Sequence, residues 1–254
     1  MSVAEKFAAQ SNGKHMTFDP TEQGVLHGAV KSVLGQDQLP TFDISHAHTV
    51  LSFGADWLGT WGSPAQFGVK YGEFRSQSDR GYLIHAEPRM SLTAAAADLW
   101  LAPKPGTEGD LALGIASIII NEGLATQENI SAFNAVLPGG LDGYSAAKVS
   151  SRTGISSDRI EKAARHFANH MPAVAFGGGS AGAHTNGSFN LEAIYALNIL
   201  VDAVDANGGI TPNPESVIDG LPSSSAGAPF QSWEAELAQW RAGNVETVII
   251  RGAD

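Results

Sequence analysis

Residues 87–113 read EPRMSLTAAAADLWLAPKPGTEGDLAL, and this stretch decides the fold class. It begins where the β-rich run 82–86 ends, and it contains a second short extended piece at 99–102. A proline- and glycine-containing turn follows, after which Thr107 stands in position to cap an apolar helix that runs through Ile119. The succession of strand, turn and helix predicts an α/β unit built on a parallel sheet.

The same alternation continues on both sides of this stretch. We predict helices at 21–34 (with Pro20 as a start signal), 63–74, 156–170, 191–204 and 233–240, and strands at 49–53, 173–176 and 245–251. Residues 122–151 have no clean period and are interpreted as a weakly helical excursion, and 208–231 as a long irregular loop. The pattern predicts a doubly wound, mostly parallel sheet of Rossmann-like type.

Two expectations concern domain organisation. Residues 1–42 are interpreted as a helical lead-in and residues 43–254 as the α/β domain. Because the last predicted strand has no following helix to cover it, we expect this domain to be incomplete at its C-terminus.

Composition excludes several classes of function. The formal net charge is −11 and no dense basic stretch occurs, which argues against a nucleic-acid partner. The absence of cysteine excludes disulfides and cysteine-ligated iron–sulfur clusters within these residues. No apolar run approaches the ~20 residues of a membrane span. The N-terminus lacks the basic-then-apolar order of a secretory signal, but such a signal can be removed from a mature protein, so export is left open.

Candidate ligand-binding residues follow the predicted strands, because ligands of open parallel sheets bind beyond the carboxyl ends of the strands. Four such segments stand out, at 54–56, 87–89, 177–180 and 252–254, the first and last both reading Gly-Ala-Asp. Glycine at a strand end allows a phosphate to approach the backbone, but it also serves tight turns for structural reasons alone. None of these segments is a complete dinucleotide fingerprint.

The stretch 87–113 resembles the molybdopterin oxidoreductases. In that family a strand ends in Asp-Pro-Arg, an Ala-Asp pair follows, and Arg-Pro-Gly-Thr-Asp opens a helix, as Glu87-Pro88-Arg89, Ala97-Asp98 and Lys104-Pro105-Gly106-Thr107-Glu108 do here. Segments 153–155, 173–179 and 198–209 are similar to later parts of the family pattern, so the resemblance covers about residues 43–254.

The resemblance implies which residues would lie near one guanosine end of a pterin guanine dinucleotide. They are Gly54, Asp56, Glu87, Arg89, Glu108 and Gly178, with Glu108 accepting guanine N–H bonds. Asp56 stands where the family has Asn, Glu87 and Glu108 where it has Asp, and Lys104 where it has Arg. The family's iron–sulfur cysteines and molybdenum ligand have no counterpart here, so no catalytic or metal-binding residue is predicted.

Residues 53–61 and 87–93 are most similar to the molybdopterin-like B subunits of bacterial alternative complex III, a quinol-oxidising respiratory assembly. The resemblance implies a structural domain without its own cofactor, held at the membrane through iron–sulfur and cytochrome partner subunits on the periplasmic face. One alternative is a domain that cradles molybdopterin guanine dinucleotide in an active enzyme, with iron–sulfur clusters in other segments. Another is a freestanding nucleotide-binding module.

Histidine pairs and tryptophans have simpler interpretations. His46 and His48, and His166 and His170 on one helix face, lack a third ligand at recognisable spacing, so no metal site is predicted. Trp57, Trp61 and Trp100 cluster near strand ends, where core packing is favoured over a partner-facing patch.

Overall fold

The computed structural model describes residues 3–17, 23–35, 39–211, 213 and 230–251. The chain divides into two compact units, one formed by residues 1–25 and 214–254 and the other by residues 26–213. The second unit contains the four-stranded sheet and the six candidate cofactor-binding residues.

A parallel four-stranded sheet forms the centre of the second unit. Its strands are β2 (Thr49–Phe53), β3 (Tyr82–Ala86), β4 (Leu99–Leu101) and β5 (Ala173–Gly177), in the order β4-β3-β2-β5. Every residue of β2 and β5 is buried, which is why neither strand shows a strict alternation of apolar and polar residues. The predicted α/β class with a parallel sheet is therefore confirmed.

Most of the predicted helices form close to their predicted positions. They are α2 (Gln23–Leu34), α3 (Pro64–Ser76), α5 (Glu108–Asn121), α8 (Ser157–Asn169), α9 (Gly187–Leu200) and α10 (Phe230–Arg241). Pro20 and residues 21–22 lie outside the described residues. Helix α9 begins four residues before its predicted start. At its first residue, Gly187, a Cβ atom would lie 2.2 Å from the backbone oxygen of Gly182.

The excursion at 122–151 contains two separate helices. They are α6 (Gln127–Val136), whose N-cap Thr126 accepts the N–H of Asn129, and α7 (Ala146–Thr153), which ends at Gly154 with φ of 81°. Each buries only one or two side chains, so neither shows a long apolar stripe in the sequence. The short helix α1 (Val3–Gln10) lies within the predicted helical lead-in, although its bounds were not predicted, and α4 (Leu92–Ala96) was not predicted.

A two-stranded antiparallel pair joins β1 (Thr41–Phe42) to β6 (Ile210–Thr211). The irregular loop predicted at 208–231 is therefore wrong at its beginning, where Ile210 pairs with Phe42. Residues 212 and 214–229 lie outside the described residues.

The strand predicted at 245–251 does not form. This segment has no strand structure, and Val248, Ile249 and Ile250 are 45%, 74% and 69% exposed. A strand requires a hydrogen-bonding neighbour, and the described part of its unit contains α1, α10 and the start of α2 but no strand. The sequence pattern indicates strand propensity, but it does not indicate whether a neighbouring strand is present to pair with it. The candidate segment 252–254 lies outside the described residues.

Helices in the described parts of the chain are all too short or too polar to cross a bilayer.

Candidate functional site

The candidate residues lie along the carboxyl edge of the sheet. Because its strands are parallel, Gly54 after β2, Glu87 after β3 and Gly178 after β5 follow strand ends at the same edge. Glu108 begins α5, two residues after the turn at Gly106. The position of each as a site residue stays a prediction, but its surroundings can be described.

Asp56 is buried and engaged within the protein. Its Oδ1 accepts the backbone N–H of Thr93 at 3.1 Å and the hydroxyl of Thr93 at 2.9 Å. Its Oδ2 packs so closely under Gly59 that a Cβ atom there would lie 2.3 Å away. The carboxylate thus fastens the turn after β2 to the first turn of α4, and little of it faces solvent.

Glu87 points into the sheet. Its Oε2 lies 3.1 Å from Nε2 of His85, whose Nδ1 lies 2.7 Å from Oγ of Ser52, which also accepts the Nε1–H of Trp57 at 3.1 Å. Ser52 and His85 are fully buried. Burial raises the pKa of Glu87, but hydrogen bonds from His85 and Ser91 and the charges of His85 and Arg89 outweigh it and lower the pKa overall.

The network Trp57–Ser52–His85–Glu87 contains serine, histidine and a carboxylate but is not arranged for nucleophilic catalysis. Ser52 lies in the middle of a fully buried strand, so no substrate can reach its hydroxyl. The network instead satisfies polar groups that would otherwise be unpaired inside the sheet.

Arg89 is the exposed member of the carboxyl edge, with 68% of its side chain accessible. Its guanidinium lies 3.4 Å from Glu87 and 3.6 Å from Asp56. These contacts are long and solvent-screened, so they hold Arg89 weakly.

Gly54 and Gly178 bring two strand-end loops into direct contact. Gly178 N–H donates to Phe53 at 3.1 Å, and Ser180 N–H donates to the carbonyl of Gly54 at 3.1 Å. A Cβ atom on Gly54 would lie 2.4 Å from the nitrogen of Ala181. Gly54 therefore allows the close approach of one loop to the other, whereas a Cβ atom on Gly178 would meet the indole of Trp61.

Glu108 differs from the other two carboxylates. It is fully buried, its Oε2 lies 3.4 Å from Nδ2 of Asn190, and its Oε1 has no hydrogen-bond partner of good geometry. Burial raises its pKa, and the N–H groups of Glu108 and Gly106 and the charge of His184 offset this only in part. Glu108 thus keeps one buried carboxylate oxygen without a hydrogen-bond partner at the start of α5.

Asp98, within the motif but not predicted as a site residue, has a structural role. It accepts the N–H of Leu83 at 2.8 Å and pairs with Arg75 and Arg80, which ties the ends of β3 and β4 to α3. Burial raises its pKa, but these bonds lower it overall. Lys104 turns toward α7, where its N–H donates to Thr153 at 2.8 Å.

The tryptophans pack against the sheet. Trp57 is fully buried, as core packing predicts, and Trp61 and Trp100 are partly buried. Trp100 donates its Nε1–H to the carbonyl of Glu87 at 2.9 Å.

Histidines are engaged locally. His46 pairs with Asp43 at 2.9 Å, and the rings of His166 and His170 lie 4.0 Å apart on α8. Over the residues that the structure describes, no group of three or more His, Asp or Glu side chains could hold a metal ion.

Comparison with known proteins identifies relatives over most of the chain. No protein-family model matches it. It is 29% identical over 212 residues to the molybdopterin-binding-like subunit of menaquinone reductase from Nitratidesulfovibrio vulgaris, a match that covers 82% of this chain and 30% of that protein. It is 29% identical over 210 residues to the molybdopterin-containing subunit of arsenate respiratory reductase from Chrysiogenes arsenatis, covering 72% and 24%.

The solved structure of acetylene hydratase from Pelobacter acetylenicus shares the fold, with a TM-score of 0.58 and 24% identity over 70% of this chain and 24% of that one. The chain thus spans less than a third of the length of these relatives. From its fold, from the motif at 87–113 and from these relatives, the chain belongs to the molybdopterin oxidoreductase superfamily.

Proposed function

We propose that the chain is a structural, cofactor-free molybdopterin-oxidoreductase-like domain in a membrane-associated respiratory complex of the alternative complex III type, which oxidises quinol. The observation that carries this proposal is that the polar groups at the carboxyl ends of the strands are bonded to other groups of the protein and are not left for a ligand. The carboxylate of Asp56 accepts hydrogen bonds from Thr93, and that of Glu87 interacts with His85, Ser91 and Arg89. The two glycine loops are hydrogen-bonded to each other. These residues do not fit a pterin dinucleotide, so no redox step is assigned to them.

The architecture supports descent from a dinucleotide-binding domain. Counted from the first parallel strand, the strand order is 3-2-1-4, as in the first four strands of a doubly wound Rossmann-type sheet. The point where the order reverses lies between β2 and β5. In a binding domain this is the crevice for the ligand, and here it is bridged by backbone hydrogen bonds.

The relatives support the setting of the domain. One of them is described as a molybdopterin-binding-like subunit of a menaquinone reductase, which is a quinone-linked enzyme. By analogy we propose iron–sulfur and cytochrome subunits as partners, with attachment to the membrane through them at the periplasmic face.

The test is the content of the intact complex, purified from its native membrane. We expect molybdenum and tungsten by mass spectrometry, and guanine nucleotide after acid extraction, at well below one per complex. A stoichiometric amount of metal together with guanine nucleotide would contradict the proposal.

A second candidate function rests on Glu108. Its free Oε1 could accept the N–H groups of a guanine base, as the family resemblance implies, which would make the domain half of a cofactor cradle or a nucleotide-binding module. If bound, the pterin cofactor would supply the molybdenum chemistry, and this chain would supply the base-binding acceptor. Guanine nucleotide in the complex, lost on Glu108→Leu and retained on Glu87→Leu, would favour this candidate.

A further inference from the structure

Trp61 lies at the reversal point of the sheet, above the glycine loop that follows β5. A Cβ atom on Gly178 would lie 2.4 Å from Nε1 of Trp61 and 2.6 Å from its Cε2, so the indole rests directly on the Gly178 backbone. Its plane is within 16° of that of Phe176 and within 26° of that of Phe67, with both ring centres 5.9 Å away. The ring therefore fills a flat slot with a glycine backbone and two aromatic rings around it.

Backbone hydrogen bonds hold the turn that carries Trp61. The carbonyl oxygen of Asp56 accepts the N–H groups of Gly59, Thr60 and Trp61 at 3.1, 2.7 and 2.9 Å. Asp56 itself is held by Thr93. Removal of the indole should thus leave the turn and the slot standing.

We infer that Trp61 determines what this crevice excludes: its indole occupies a slot that would otherwise bind a planar, bicyclic heteroaromatic ring such as a purine. Purine and indole are fused five- and six-membered rings of nearly the same size, and stacking on aromatic side chains accepts either. The inference deepens the proposed function on which it rests, because it names the side chain that keeps a base out.

The test replaces the indole in the full-length chain by Trp61→Gly and measures binding of guanosine, adenosine and indole by equilibrium dialysis. Neutral nucleosides avoid repulsion by a chain of net charge −11. The matched control is Phe133→Ala, which removes a buried aromatic ring on α6. We expect Trp61→Gly to bind the nucleosides and indole at least tenfold more tightly than the parent or the control does.

Two results would overturn the inference. One is a folded Trp61→Gly protein that binds neither kind of ring more tightly than the Phe133→Ala control. The other is binding of indole without the nucleosides, since a cavity that accepts only its lost side chain is a packing defect. If the variant does not fold, the same compounds are added during refolding. Recovery with nucleosides as well as indole supports the inference, and recovery with indole alone or with neither contradicts it.

A negative result in this experiment can be distinguished from a negative result in the test of the proposed function. Cofactor in the parent complex would contradict the proposed function, whereas the lack of a gain in Trp61→Gly would contradict only the role of Trp61.

Discussion

Glu87 stands where the family motif has aspartate, and its additional methylene group brings the carboxylate within 3.1 Å of His85. Replacement by leucine leaves the buried Nε2–H of His85 unpaired, which costs about 2–3 kcal/mol. We expect Glu87→Leu to lower the free energy of unfolding by about this amount in urea titrations. Glu87→Gln, which keeps an acceptor, should lose about 1 kcal/mol, and equal stability of the two variants would contradict the role of the hydrogen bond.

The pH dependence of Glu87 has a definite sign. Its pKa is lower in the folded protein, so its contribution to stability is present above the unfolded value of about 4.5 and is lost as pH falls through the lower folded value. We expect the stability difference between parent and Glu87→Gln to shrink below about pH 4.5. A difference that does not change between pH 7 and pH 3 would contradict this assignment.

The contribution of Glu108 to stability changes with pH in the opposite direction. Burial raises its pKa in the folded protein, so its charged form costs stability that increases as pH rises above the unfolded value. Glu108→Gln removes the charge but keeps an acceptor for Asn190. We expect the variant to be more stable than the parent at pH 8, with a smaller gain at pH 5, measured by urea unfolding. A gain that is larger at pH 5 would contradict the assignment.

Residue identity alone did not reveal these orientations. The sequence pattern placed Asp56 and Glu87 after the correct strands, because strand ends follow from the apolar runs before them. It could not tell that they point inward, since their partners Thr93 and His85 matter only once β2, β3 and α4 have assembled. Of the three carboxylates, Glu108 alone keeps an unpaired oxygen, and packing decides this.

At the scale of elements, α9 protects the edge of the sheet. The side chain of Asn198 is fully buried, accepts the N–H of Ala175 at 2.8 Å and donates to its carbonyl at 2.8 Å. It thus pairs β5 where a neighbouring strand would. We expect Asn198→Leu to lower the free energy of unfolding by about 3 kcal/mol, since two backbone groups lose their partners. The exposed Asn169→Ala should change it by less than about 0.5 kcal/mol, and similar losses in both would refute this role.

Fully buried strands were predicted from the sequence, whereas two of the helices that bury few side chains, α6 and α7, were missed. Strands β2 and β3 match their predicted limits because their apolar runs end at a glycine or a charged residue. Helix α7 buries only Val149 and Thr153, so its period was too weak to detect. The apolar segment 245–251 was predicted as a strand but does not form one. Its strand propensity is high, but no partner strand is present among the described residues of its unit.

At the scale of the whole molecule, the limits of the folding unit can be tested. Residues 26–213 form one compact unit, and Leu26, Ala29 and Val30 of α2 belong to its buried core. The sequence predicted instead that the domain begins at residue 43. We expect a fragment of residues 23–213 to unfold cooperatively, since it retains this core. A fragment of residues 43–254 should be less stable by at least about 3 kcal/mol, because it loses the buried side chains of α2 together with Phe42. Circular dichroism with urea measures both, and a more stable 43–254 fragment would support the boundary that the sequence predicted.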